Sequence, residues 1–94
     1  EDGENFQVAG FDIQYVLTPG HTPGSGCFYI EEEQVLFSGD TLFQASRGRT
    51  DFPGGSESDI IKSIKNKLLV LPGETEVYPG HMNITNIDSE KVYY

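Results

Sequence analysis

Histidine and cysteine are scarce in this chain, with two of the first and one of the second in 94 residues, and tryptophan is missing altogether. A single cysteine, Cys27, cannot close an internal disulfide, which makes a reducing compartment the expectation. Positive charge is scarce too: six Lys and Arg stand against fifteen Asp and Glu, a formal charge of −9. Binding to a phosphate backbone needs clustered basic residues, so nucleic acid is excluded as a partner, and so is an anionic membrane surface. Long apolar runs are missing as well. The longest are four residues, Cys27 to Ile30 and Leu68 to Leu71, far short of what spans a bilayer. No charged-then-apolar leader is visible, so the expected location is cytoplasmic.

What is present suits one small domain: 36% hydrophobic residues and 12% aromatics, enough for a modest core. Glu1 to Asn5 are polar and read as a loose start. From Phe6 to Leu17 the apolar positions Val8, Phe11, Ile13, Tyr15 and Leu17 mostly alternate around Gly10, the period of two strands or one bent one. Cys27–Ile30 reads as a strand covered on both faces, Glu31–Glu33 as a solvated turn, and Val35–Phe37 as the returning strand. Leu42 to Gly55 shows no periodicity, and a connection of that length is functional or disordered. Ser56, with Asp59 three residues on, resembles a capping box. The helix it opens carries Ile60, Ile61, Ile64 and Leu68 on one face and stops at Pro72-Gly73. Glu76–Tyr78 reads as a short strand. Asn86 to Tyr94 reads as the start of a last helix capped by Asp88 or Ser89.

Three polar residues share one local grammar. His21, Asp40 and His81 each follow an apolar strand and each has a glycine directly before it. Such a glycine lets the chain turn tightly, so that the next side chain projects beyond the sheet edge. Strands lie about 4.7–4.9 Å apart, so loops leaving one edge can bring two imidazoles and a carboxylate to a common ion. Imidazole suits Zn²⁺ and Fe²⁺, and a carboxylate has two oxygens with which to bridge two cations. Taken singly, each is more often what an ordinary surface turn carries; the occurrence of both histidines in the same Pro-Gly-His setting shifts the balance toward a metal site.

The strings Thr18-Pro-Gly-His21-Thr-Pro-Gly-Ser, Ser38-Gly-Asp40-Thr-Leu-Phe and Tyr78-Pro-Gly-His81 resemble the last three metal-binding motifs of the metallo-β-lactamase-fold hydrolases, nearest to their glyoxalase II-like branch. Gly48-Arg-Thr-Asp-Phe-Pro-Gly-Gly55 and the helix after it are similar to the same branch, and the likeness runs from about Gly10 to Tyr94. The resemblance implies an α+β fold in which residues 1–94 form a single partial domain. That domain is the C-terminal half of a four-layer αββα sandwich, a mostly antiparallel sheet with one main covering helix. It makes His21 a ligand of a first metal, Asp40 the carboxylate bridging both metals and the one catalytic residue, and His81 a ligand of the second. It also makes Arg49 the substrate-binding residue, placed to grip an anionic group; the alternative is an exposed arginine paired with Asp51.

The family's first motif, His-x-His-x-Asp-His, is absent, because both histidines are already used. The implied parent is a metal-dependent hydrolase that acts on a thioester or similar acyl bond through two Zn²⁺, like a hydroxyacylglutathione hydrolase. The chain alone is expected to bind Zn²⁺ weakly or not at all and to be inactive. Two alternatives stay open. Gly48 to Phe52 is also similar to the persulfide dioxygenases, which use one iron, and Met82-Asn83 stand where a glyoxalase II carries a substrate-contacting tyrosine. The other is a non-catalytic half-domain that pairs with the missing N-terminal half or with itself through its uncovered sheet face. Thr18, Thr22 and Thr41 are candidates to hydrogen-bond the ligands or are plain loop hydroxyls. Cys27 reads as an inert core thiol, and Tyr93-Tyr94 as an interface anchor or a frayed end.

Overall fold

The structure, a computed structural model, describes residues 3–51, 53–80 and 83–94. Strands β1 (Asn5–Val8), β2 (Phe11–Leu17), β3 (Gly26–Ile30) and β4 (Val35–Gly39) form an antiparallel meander. A small hairpin follows, β5 (Leu42–Phe43) with β6 (Ser46–Arg47). Helix α1 (Glu57–Ser63) and a π-helical turn over Ile64–Leu68 then lead to β7 (Glu76–Pro79), which pairs parallel to β4. β8 (Thr85–Asn86) and helix α2 (Ile87–Lys91) close the chain. The main sheet has the order β1-β2-β3-β4-β7-β8. Among the described residues the one parallel pair, β4 with β7, is joined through the helix, as a crossover connection requires. This is the expected α+β architecture of a mostly antiparallel sheet under one main helix.

The helix side of the sheet is the core. Val16, Cys27, Tyr29, Leu36 and Val77 point to it and meet Ile60, Ile64 and Leu68, all buried. Ile60, Ile64 and Leu68 recur every four residues. Widening of the last turn, where Leu69 N–H donates to the Ile64 carbonyl at 2.9 Å, keeps the later two facing inward. At the helix start Ser56 Oγ accepts from Asp59 N–H at 3.1 Å. Only this half of the expected capping box forms, because Ser56 N–H donates instead to the Gly20 carbonyl at 2.7 Å. Gly20 itself leaves no room for a side chain, since a Cβ there would run into the backbone of Ile60.

Four readings need correction. β3 is covered on one face only: Phe28 is 42% exposed although its neighbours Cys27 and Tyr29 are buried. A four-residue apolar run cannot say whether a second layer exists. The connection expected to lack periodicity holds the β5–β6 hairpin, too short to register as a pattern. The last helix is capped by Asn86, whose Oδ1 accepts from Ser89 N–H at 2.8 Å, and not by Asp88 or Ser89. Asn5, placed in the loose start, opens β1, and the expectation for Glu1 and Asp2 lies outside the described residues.

Candidate metal centre

β2 ends at Leu17, and the chain turns at Gly20 to present His21. β4 ends at Gly39 and presents Asp40. The two side chains meet, with His21 Nε2 3.7 Å from Asp40 Oδ2. The pairing of β4 with β7 is irregular between Phe37 and Gly39, which brings Gly39 opposite Pro79. Gly80 N–H then donates to the Gly39 carbonyl at 2.8 Å, and a Cβ on Gly80 would lie 3.5 Å from Asp40 Oδ1. The segment that leads into His81 therefore runs alongside Asp40. His81 and Met82 lie outside the described residues, and so does Phe52.

The histidine tautomer follows from its partner. His21 Nδ1 stands 2.8 Å from the Arg49 carbonyl, and a carbonyl only accepts, so Nδ1 carries the proton. In the neutral ring Nε2 then holds a lone pair, and 3.7 Å away is a carboxylate oxygen, also an acceptor. From that separation both atoms can reach one cation, and a protonated imidazole would meet the carboxylate there as an ion pair. The donor set of imidazole nitrogen and carboxylate oxygen is one that Zn²⁺ and Fe²⁺ accept, so the residues fit a metal. Among the described residues alone, no group of three or more His, Cys, Asp and Glu gathers as a site.

Gly48 makes this arrangement possible. Its N–H donates to the Thr41 carbonyl at 3.2 Å. A Cβ at that position would collide with the Asp40 carbonyl and stand 3.3 Å from His21 Cβ. Below the pair lies a buried polar layer: Thr18 and Thr41 hydroxyls hydrogen-bonded at 2.9 Å, with Cys27 Sγ 3.5 Å from Thr18 Oγ1. Burial pushes the Cys27 thiol pKa up, against the hydrogen bonds from Thr18 and Thr41. Thr22 bonds Ser25 at 2.7 Å instead of the ligands.

Arg49 extends from the same loop. Its guanidinium grips Asp51 through two bonds of 3.0 Å, which raises its own pKa and lowers that of Asp51. Of the two readings of Arg49, the structure shows the pair with Asp51; separately, its main-chain carbonyl orients His21. The sequence carried no signal for that carbonyl, because a main-chain acceptor has no residue type. Glu90, also missed, lies buried on α2 and is bonded to the hairpin.

Residues 1–81 match the family model of the metallo-β-lactamase superfamily. The chain belongs to that superfamily. It is 43% identical over 91 residues to hydroxyacylglutathione hydrolase GloC of Haemophilus influenzae, a match covering 97% of this chain and 43% of that protein. Among solved structures it resembles the B3 metallo-β-lactamase BLEG-1, with TM-score 0.92 and 43% identity over 98% of this chain and 44% of that one. ETHE1 from Myxococcus xanthus superposes with TM-score 0.91 and 37% identity, covering 97% and 41%. A protein solved in a di-iron-bound form, TTHA1623, does so with TM-score 0.84 and 43% identity, covering 97% and 43%. This superfamily member spans only 42% to 44% of the length of such curated relatives, so the chain is an α+β portion of the metallo-β-lactamase fold.

Proposed function

We propose that this chain supplies one side of a binuclear zinc centre in a hydrolase that cleaves a thioester or similar acyl bond. His21, Asp40 and His81 are its ligands, with Asp40 bridging both ions. The observation that carries the reading is the facing of His21 Nε2 and Asp40 Oδ2 across 3.7 Å, with Nδ1–H already committed to the Arg49 carbonyl. Divalent cations there would acidify a water and polarise the acyl carbonyl. The chain's own residues set the stage: the Arg49 carbonyl fixes the imidazole tautomer, Gly48 lets the loop close on both side chains, and Asp40 offers a carboxylate with two oxygens.

Arg49 is the receptor for an anionic part of the substrate, since guanidinium binds carboxylate through two parallel bonds. Asp51 holds it in that manner, so an incoming carboxylate exchanges with Asp51. The identity to GloC supports a glutathione thioester as substrate. A second reading, an iron-dependent sulfur dioxygenase, draws support from the likeness to ETHE1 and from Met82-Asn83 after His81.

The remaining ligands come from an N-terminal half, and a cover for the open sheet face from that half or, failing that, from a second copy of the chain. The protein at its full encoded length, assayed for metal content, hydroxyacylglutathione hydrolysis and oxygen uptake with a persulfide, separates these readings. Two zinc ions per chain with thioester cleavage support the hydrolase. One iron with oxygen consumption replaces it by the oxygenase, and neither activity leaves a non-catalytic half-domain.

A further inference from the structure

Glu90 is nearly inaccessible to solvent, at 1% exposure on α2. Burying a carboxylate is unfavourable, and an apolar side chain of the same volume would fill the space without that cost. Its two oxygens are both used. Oε1 accepts the Ala45 N–H at 2.8 Å, and Oε2 accepts the Thr85 hydroxyl at 2.6 Å. Ala45 is the second residue of the two-residue β5–β6 turn and has φ 55°, a left-handed conformation that a residue with a Cβ resists. Glu90 thus grips the turn at its strained position. Thr85 pairs with Val77 in β7, the strand that runs on to Gly80. A second tie, Asn83 Nδ2 to Gln44 Oε1 at 3.1 Å, joins the same two segments.

We infer that Glu90 is a positioning residue for the His21–Asp40 centre, clamping the β5–β6 turn to β8 so that Gly48 and Arg49 stay in register against His21. The route is short. β6 ends at Arg47, Gly48 N–H continues the pairing onto the Thr41 carbonyl, and the carbonyl of the following residue, Arg49, takes the His21 Nδ1–H. A one-residue slip in so small a hairpin would carry that carbonyl away from the imidazole. The inference rests on His21 being a ligand, but its orientation by Arg49 is measurable in metal-free protein.

The test follows the His21 imidazole by long-range proton–nitrogen NMR in the metal-free protein and titrates Zn²⁺ against a chromophoric chelator. Glu90→Gln keeps both bonds, since its amide oxygen accepts from Ala45 and its amide N–H donates to Thr85, and it behaves as wild type. Glu90→Met loses the single Nδ1–H tautomer and weakens Zn²⁺ binding about tenfold, the range found when partners of metal ligands are removed. Adding Ala45→Gly, which frees the turn from strain, restores both readouts. Should Glu90→Met not fold, Thr85→Val removes one bond at constant volume and shifts both readouts in the same direction by a smaller amount. A folded Glu90→Met or Thr85→Val protein with a lowered Tm but an unchanged His21 signal overturns the clamp. A changed His21 signal in a protein that never binds Zn²⁺ overturns the metal reading and keeps the clamp.

Discussion

Gly48, packed against Asp40 and His21, and Cys27, bonded to Thr18, respond to substitution for different reasons. At Gly48 the fault is steric: alanine places a Cβ on the Asp40 carbonyl, which is backbone and cannot swing aside. Gly48→Ala is expected to cost about 1–3 kcal/mol, the usual range for forced overpacking, and to loosen the Arg49–His21 bond. A denaturant melt measures the first and the His21 nitrogen spectrum the second. At Cys27 the matter is protonation. Its folded pKa lies above the ordinary 9.0 because of burial, so its contribution to stability is full below the unfolded value. That contribution is lost as pH rises from there through the folded pKa. The melting temperature of the wild type should therefore fall above about pH 9, and that of Cys27→Ala should fall less over the same range. An aromatic disulfide reagent at pH 8 should label Cys27 only as fast as the protein unfolds.

At the scale of elements, helix α1 holds the His21 loop from behind. Ser56 caps it while its N–H bonds Gly20, Ser63 Oγ donates to the Pro19 carbonyl at 2.9 Å, and Lys67 Nζ to the Leu17 carbonyl at 2.8 Å. Ser56→Ala should destabilise the fold by about 1 kcal/mol, the typical loss of an N-cap, seen as a lower denaturation midpoint with an unchanged slope. The hairpin is tied to the same helix by Arg47 and Glu57, 2.6 Å apart, and the bond from Arg47 lowers the pKa of Glu57. A depressed acid stabilises above its unfolded pKa and stops doing so as pH falls through the folded one. The contribution of this tie should begin to decline below about pH 4.5 and be gone only below the lowered folded pKa, and because Glu57 is exposed the effect should shrink in salt. Glu57→Gln should remove that part of the acid limb in a melt series.

These elements also show what a sequence can reveal. The four-residue spacing of Ile60, Ile64 and Leu68 marks one helix face whatever lies opposite, so the helix and its buried side were legible. So were the strands, through alternation. The convergence of His21 and Asp40 was legible too, because both follow strand ends. The hairpin, the Asn86 cap, the Arg49 carbonyl and the Glu90 bonds were not. The hairpin is too short to form a pattern and Asn86 sits beside two other capping residue types, while the Arg49 carbonyl and the Glu90 bonds depend on which segment arrives from far along the chain.

Across the whole molecule the two sheet faces differ. The helix side is packed, and the other carries Tyr15, Phe28, Phe37 and Tyr78 directly opposite one another on four neighbouring strands. Tyr15 and Phe28 rings pack with centroids at 5.5 Å, Phe37 and Tyr78 at 5.6 Å, and Phe6 adds an edge contact to Phe28 at 6.0 Å. Phe28 and Phe37 remain 42% and 44% exposed. A continuous aromatic row open to water favours a second layer. In sedimentation the chain should self-associate with rising concentration, and Phe28→Ser with Phe37→Ser should return it to a monomer with helix and strand content unchanged. A wild-type monomer at every concentration would show that this face needs no cover. No helix among the described residues is long and apolar enough to cross a membrane, so that row is not part of a membrane-spanning helix.

In the proposed centre His21 and Asp40 are ligands of one shared cation, and the His21 nitrogen resonances report on it. On addition of Zn²⁺, Nε2 is expected to move to a metal-coordinated shift while Nδ1 keeps its proton on the Arg49 carbonyl. The expected affinity is micromolar at best, abolished by His21→Ala and by His81→Ala and reduced at least tenfold by Asp40→Asn. A His21 Nε2 that stays unmoved at saturating Zn²⁺, or binding that survives His21→Ala and Asp40→Asn at full strength, would contradict it.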